Sequence, residues 1–211
     1  MQYDTNYGLT EATGPGCVHL GIENEERVGS IGKAGFNWET RIVNDNGDDV
    51  AQDEVGELVV KGGGVMKEYY KNPEKTAETI RNGWLYTGDM ARMDRDGFIY
   101  LVDRKRDVVI TGGENIFPVE VEDILHTHAK VYDVAIIGVP DARLGEIPCA
   151  IIDPKPNEVA TEAEINIFCE QNMPRYKRPR RIIFDKVPRN PTGKVEKPKL
   201  RRKYAANSLE Q

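Results

Sequence analysis

Cysteine is scarce in this chain. Cys17, Cys149 and Cys169 are widely separated and show no paired spacing, which leaves neither a disulfide framework nor a cysteine-built zinc site. No apolar run approaches the ~18 residues of a membrane span, and the polar start Met1-Gln-Tyr-Asp-Thr-Asn is no secretory signal. A cytoplasmic protein without a membrane span is therefore expected. Histidine is equally rare. His126 and His128 stand two apart on one expected helix, point to different faces and cannot pair as metal ligands there, while His19 lies in a Gly-rich stretch with no evident partner. Histidine-based acid–base chemistry is accordingly not expected. Aromatics reach only 8% against 30% charged residues, with Leu, Ile and Val spread throughout, the profile of a globular chain whose 211 residues fit one or two domains.

Charge is plentiful and unevenly placed. The net charge is −6, yet Arg175 to Lys203 holds 13 Lys/Arg against Asp185 and Glu196, so this stretch carries +11 and the remainder −17. An acidic body with a basic end suits a polyanion, and no RNA-binding signature or recognition-helix pattern points to nucleic acid. Inside the basic stretch lies Pro188-Arg-Asn-Pro-Thr-Gly-Lys194-Val. A Gly-Lys pair on a loop offers a compact ammonium that can reach a carboxylate or phosphate oxygen. It is not a Walker loop, because the spacing to an earlier glycine is wrong and Val195 stands where a magnesium-binding hydroxyl would be needed. Taken alone, the segment is also ordinary turn chemistry.

The pattern changes along the chain. Thr40-Arg-Ile-Val-Asn, a turn at Asp45-Asn-Gly-Asp, and Val55-Gly-Glu-Leu-Val-Val-Lys predict an antiparallel β-rich start. Asn72-Pro73 predicts the capped start of a short helix, Asp94-Arg-Asp-Gly97 a turn, and Phe98 to Asp103 the strand after it. Asp103-Arg-Lys-Arg-Asp107 puts five charges between two apolar runs and reads as an exposed, loosely held connection, or else as a charged hairpin tip. Beyond it an α/β pattern follows. Pro118 opens a helix with Val121, Ile124, Leu125 and His128 on one stripe, Val131 to Val139 and Ile147 to Ile152 are buried strands, and Thr161-Glu-Ala-Glu164 is a capping box. Arg181-Ile-Ile-Phe-Asp is a last strand before the lysine loop.

Six motifs stand in one order: Tyr7-Gly-Leu-Thr-Glu11, Gly56-Glu-Leu-Val-Val-Lys-Gly62, Tyr86-Thr-Gly-Asp89, Asp103-Arg104-Lys-Arg106-Asp107, Gly112-Gly-Glu-Asn-Ile-Phe-Pro118-Val-Glu-Val-Glu122, and the Lys194 loop. From about residue 3 to residue 203 this series resembles the C-terminal half of the acyl-adenylate-forming enzymes, which include acyl-CoA synthetases, peptide-synthetase adenylation domains and firefly-type luciferases. Gly-Gly-Glu-Asn-Ile-Phe-Pro is most similar to fatty-acyl and carnitine-type CoA ligases. The resemblance implies an α/β (α+β) protein, with residues 1–103 as the distal β-rich part of a large adenylating domain and residues 104–211 as a small mobile α/β domain.

It also implies roles. Lys194 would bridge a carboxylate substrate and the α-phosphate of ATP, and Glu11 would hold the accompanying Mg2+. Thr10 would offer a hydroxyl to phosphate, Tyr7 a ring face to adenine, and Gly8 belongs to the same nucleotide-binding run. Asp89 would accept the ribose hydroxyls, with Arg104 adding donors. Arg106 falls at the pivot position, where relatives carry Asp or Lys, and Gly112 and Gly113 would let backbone lie close to the pantetheine arm of coenzyme A. The basic stretch would suit the phosphates of ATP and coenzyme A. Without the resemblance, Tyr7 to Glu11 reads as a turn and helix cap, Asp89 as a turn aspartate, and the glycine pair as a bulge.

Such enzymes open with a large domain bearing a Ser/Thr/Gly-rich phosphate loop and most of the acid pocket, and neither occurs here. The expectation is a fragment of an ATP-dependent acid–CoA ligase, inactive alone. Two alternatives stand beside it: a peptide-synthetase-type adenylation fragment, disfavoured by Gly-Gly-Glu-Asn, and a non-catalytic module that binds adenylate or coenzyme A.

Overall fold

The computed structural model describes residues 4–21 and 26–205. The chain divides into two compact units, Met1–Lys105 and Arg106–Gln211. Mixed α/β structure with largely antiparallel sheets is the architecture expected from the sequence. No helix among the described residues is long and apolar enough to cross a membrane.

The first unit holds two antiparallel sheets. One is β1 (Thr5–Leu9), β2 (Gly14–His19) and β3 (Lys33–Ala34), in that order. The other runs β4 (Trp38–Val43), β5 (Gly56–Gly62), β7 (Trp84–Met93) and β6 (Ile80–Arg81), with β8 (Ile99–Arg104) paired to β7. Alternate strand residues face inward: Ile42, Leu58, Val60, Leu85, Ala91 and Ile99 close a core that also takes Tyr7, Ala12 and Cys17. α1 (Pro73–Thr79) starts as its sequence dictates, with Asn72 accepting from the Lys75 amide. His19 has the partners its sequence context hid. It is buried, its Nδ1 lies 3.0 Å from the Ser30 carbonyl, and its ring meets the edge of Phe98.

The second unit is built on the hairpin β11 (Val131–Asp141) and β12 (Gly145–Pro154). The sheet runs β10 (Glu114–Ile116), β9 (Val109–Thr111), β12, β11, and β13 (Arg181–Phe184) pairs parallel with β12. Both faces of the hairpin are covered, which is why its strands read as continuous apolar runs rather than alternating ones. Val134, Ile136, Ala150 and Ile152 pack with Val121 and Leu125 of α2 (Pro118–His126) and Ile165 and Cys169 of α3 (Glu162–Asn172). Ala135, Ile137, Val139, Cys149 and Ile151 pack on the other face with Leu200 of α4 (Lys197–Tyr204). The capping box forms in full: Thr161 accepts from the Glu164 amide, and Glu164 accepts from the Thr161 amide. α2 ends at His126, so His128 lies beyond it and packs edge-on against Phe168.

The connection differs from the loosely held charged run expected. Lys105–Asp107 forms a 3-10 turn, and its last residue Asp107 and the preceding Asp103 are buried. Lys105 is tied within the first unit to Glu57 and Asp45, at 3.0 and 2.6 Å. Asp107 is tied within the second unit to Arg201, at 2.8 Å. Between these two anchors stands only Arg106, which is exposed.

Candidate functional site

Tyr7 and Gly8 sit on β1, where the register with β2 shifts between them. A Cβ on Gly8 would meet the Gly14 carbonyl oxygen at 2.4 Å, so only glycine lets the two strands approach there. Thr10–Ala12 then forms a 3-10 turn that leaves Thr10 exposed and Glu11 half-buried. Tyr69 donates its hydroxyl to Glu11 Oε1 at 2.9 Å, fixing one carboxylate oxygen.

Tyr86-Thr-Gly-Asp89 lies inside β7 as an irregularity. Pairing runs from Val59 with Tyr86 to Glu57 with Met90, so Thr87, Gly88 and Asp89 bulge opposite Leu58. Gly88 takes φ +74°, which glycine alone adopts freely. Thr87 Oγ1 donates to the Leu58 carbonyl at 2.7 Å and accepts from the Asp89 amide at 3.1 Å. Glu57 completes the bulge: Oε1 accepts from the Gly88 amide and Oε2 from Lys105, both at 3.0 Å. From sequence, Glu57 stands out only as part of a strand motif. A charged residue between apolar strand neighbours, Gly56 and Leu58, is the signal that could have marked it.

The bulge aims Asp89 at Tyr7, whose hydroxyl donates to Oδ2 at 2.6 Å, while Arg104 Nε lies 3.5 Å from Oδ1. Arg104 is 55% exposed, so this second contact is loose. Tyr7 is held on both sides of this contact. It is only 8% exposed and packed in the core, and burial, followed by the negative charge of Asp89, pushes its phenol far above the ordinary tyrosine range. A carboxylate has about four acceptor sites, so Asp89 keeps capacity for further donors after these two contacts. Tyr7, Asp89 and Arg104 thus meet in one cluster, with Gly8, Thr10 and Glu11 following Tyr7 in sequence.

Glu11 contributes a single carboxylate, and no group of three or more His, Cys, Asp or Glu side chains is placed to cage a metal among the described residues. One carboxylate with a free oxygen suits Mg2+, which keeps its waters and takes phosphate oxygens in place of a protein cage. A surface cavity of about 380 Å3 in the same unit, lined by segments 40–42, 49–52 and 93–95, includes none of these residues.

In the second unit, Gly112 and Gly113 are the two central residues of the β9–β10 hairpin, at φ +58° and +91°. This is a two-residue turn with both φ positive, a geometry that favours glycine twice over, and not the bulge that the glycine pair alone would suggest. The Gly112 amide donates to the Leu144 carbonyl at 3.0 Å, and a Cβ on Gly113 would meet nothing within 4 Å.

The lysine loop is a hydrogen-bonded hairpin. Arg189 bridges to Val195, the Asn190 amide donates to the Lys194 carbonyl at 2.9 Å, and the Gly193 amide donates to the Asn190 carbonyl at 2.9 Å. Asn190 Oδ1 accepts from the Thr192 amide, the Thr192 hydroxyl and the Lys194 amide, at 3.0, 2.8 and 2.9 Å. Among the described residues the Lys194 ammonium has no hydrogen-bond or ion-pair partner, and the residue is exposed. Many of the cations around it are paired. Lys177, Arg178, Arg189, Lys197, Lys199, Arg201 and Lys203 all hold carboxylate partners within their own unit.

Comparison with known proteins bears on this geometry. Residues 5–70 match the AMP-binding enzyme family and residues 120–194 the AMP-binding enzyme C-terminal domain. Long-chain-fatty-acid–CoA ligase FadD13 of Mycobacterium tuberculosis is 39% identical over 201 residues, 95% of this chain and 40% of that protein. ATP-bound MatB from Rhodopseudomonas palustris superposes with a TM-score of 0.88 at 32% identity, covering 96% of this chain and 40% of that one. O-succinylbenzoate coenzyme A synthetase from Bacillus subtilis, in complex with ATP and a magnesium ion, gives a TM-score of 0.83 at 33% identity over 95% of this chain and 41% of that one. With both family matches in order along one chain, the protein belongs to the acyl-adenylate-forming, AMP-binding enzymes, of whose members it spans about 40% of the length.

Proposed function

We propose that these 211 residues are the C-terminal part of an AMP-forming acid–CoA ligase. In the first half-reaction a carboxylate oxygen attacks the α-phosphorus of ATP and the bond to pyrophosphate breaks, giving acyl-AMP. In the second, the thiol of coenzyme A attacks the acyl carbon, AMP leaves and the thiol proton passes to solvent. The first step needs alignment and charge neutralisation more than proton transfer.

The observation that carries this reading is Lys194, an ammonium without a partner among the described residues on a loop whose backbone is tied throughout. Its role is to neutralise charge between the carboxylate and the α-phosphate. Asp89 accepts the ribose hydroxyls, Tyr7 holds Asp89 in place, and Arg104, exposed and loosely paired, turns to the nucleotide. Thr10 and Gly8 border the phosphates. Glu11, oriented by Tyr69, would hold Mg2+, which would offset phosphate charge when bound. Gly112 and Gly113 expose a hairpin tip with no side chain, suited to the pantetheine arm. The anchors on either side of Arg106 concentrate any hinge rotation at that residue and support its role as pivot. The relatives named above act on acids as unlike as a long-chain fatty acid and succinylbenzoate, so the acid class belongs to the part of a ligase this chain does not cover. Since the matched relatives are more than twice as long, the 211 residues alone are expected to give no turnover.

The test uses the full-length reading frame that carries this chain. Pyrophosphate release is measured over a panel of carboxylic acids with coenzyme A, and thioester formation is measured separately from supplied acyl-AMP. Lys194→Ala is expected to abolish the first and leave the second largely intact. Equal loss of both, or release indifferent to Lys194, refutes the assignment.

A further inference from the structure

The peptide between Gly193 and Lys194 is held at both ends. Its carbonyl oxygen accepts from Arg189 Nη1 at 2.6 Å, and its N–H donates to Asn190 Oδ1 at 2.9 Å. Arg189 is itself fixed from below. Its Nε and Nη2 form a two-pronged contact with the Asp133 carboxylate at 2.7 and 2.8 Å. Asp133 is buried, near the start of β11, and its Oδ1 also accepts from the Val134 amide at 2.9 Å. Three links therefore lead from the sheet that forms the core of this unit to the backbone of one exposed lysine.

A surface turn does not require such a device. An Asx turn built on Asn190 would close the loop without any charged group. Burying Asp133 is costly unless it is paired, and the pair it makes, with the half-exposed Arg189, reaches the loop tip. Its charge also removes an electrostatic conflict. Arg189 lies five residues before Lys194, and without Asp133 two cations would crowd one hairpin; with it, Lys194 is the uncompensated positive charge there. A planar guanidinium can make the fork to Asp133 and a third bond to a carbonyl at once, which an ammonium cannot match in geometry.

Granted the role of Lys194 given above, we propose that Asp133, Arg189 and Asn190 are positioning residues for adenylation: they clamp the Gly193–Lys194 peptide so that the ammonium is delivered in a fixed direction. They do not touch the reacting atoms. Misplacement by about 1 Å can cost on the order of 100-fold in rate, so the clamp sets how fast acyl-AMP forms and not how tightly ATP binds.

The experiment compares Arg189→Lys, Asn190→Ala, Asn190→Asp and Lys194→Ala in the full-length reading frame, measuring both half-reactions. Arg189→Lys and Asn190→Ala are expected to slow acid-dependent pyrophosphate release by roughly 10- to 100-fold with the KM for ATP within about threefold. Thioester formation from supplied acyl-AMP stays unchanged, and Asn190→Asp, which keeps the acceptor oxygen but sets a carboxylate beside Lys194, restores hydrogen-exchange protection of the Lys194 amide rather than the full rate. In the same two impaired variants the Lys194 amide loses protection from hydrogen exchange while amides of β11 and β12 keep theirs. Wild-type release rates in Arg189→Lys and Asn190→Ala, with Lys194→Ala inactive, overturn the clamp alone. Parallel loss of both half-reactions in the clamp variants also overturns it. Undiminished release in Lys194→Ala overturns the reading of the lysine itself and the clamp with it.

Discussion

Replacing Glu57 by Gln should destabilise the first unit selectively. The carboxylate is 8% exposed and joins the Gly88 amide of the Asp89 bulge to the Lys105 ammonium. Glutamine retains an oxygen for Gly88 but turns an N–H2 group toward Lys105. A hydrogen bond to a charged group contributes about 1.5–3 kcal/mol. Lys105 is 42% exposed and keeps Asp45 at 2.6 Å, so the lost attraction is discounted to about 1 kcal/mol. An amide donor left facing an ammonium adds up to about 1 kcal/mol, for an expected loss of about 1–2 kcal/mol. In a unit of this size that lowers the melting temperature by about 5–15 °C. Both tryptophans, Trp38 and Trp84, lie in the first unit, so tryptophan fluorescence follows its unfolding alone. Far-UV dichroism, dominated by α2, α3 and α4, follows the second. The fluorescence transition should move while the helical one stays. Lys105→Met in a double-mutant cycle should show coupling of about 1 kcal/mol with Glu57. A shift below about 0.5 kcal/mol, or an equal shift in both transitions, would refute the claim that Glu57 ties the bulge to the connection.

The Tyr7 phenol is raised in the folded state, so above its unfolded pKa of about 10 the native form holds a proton the unfolded chain has released, and stability falls as pH rises by up to about 1.4 kcal/mol per unit. Cys17, pushed up to about 12 by burial, acts with the same sign, so Tyr7→Phe should flatten the alkaline unfolding curve without abolishing its slope; an unchanged slope counts against burial of the Tyr7 phenol beside Asp89. Thr161→Ala removes the hydroxyl of the capping box and should cost about 1 kcal/mol in the second unit, visible in the dichroism transition and absent from tryptophan fluorescence.

Local chemistry that depends on near neighbours is legible in the sequence itself. The Asn72-Pro73 cap, the Asp94 to Gly97 turn and the Thr161 box form where those residues stand, because each closes its hydrogen bonds within about four residues. The strands Val131 to Val139 and Ile147 to Ile152 are legible as buried because both faces are apolar. What the sequence hides depends on partners far along the chain. Asp107 waits for Arg201, Asp103 to Asp107 reads as loose because its anchors are remote, and Glu57 serves a bulge 31 residues away. His19 gains Ser30 and Phe98 in the same way.

The six ordered motifs, by themselves, determined the resemblance to the family and with it the α/β class, since residue order and spacing are properties of the chain. Only tertiary structure decided how those groups are held. It turned Tyr7 inward onto Asp89, paired Arg189 and Arg201 of the basic stretch with the buried carboxylates Asp133 and Asp107, and fixed the Lys194 backbone through Arg189 to Asp133. The physical reason is pairing: a buried charge must find an opposite one, and in this fold the partners lie far apart in sequence, as Asp107 and Arg201 do.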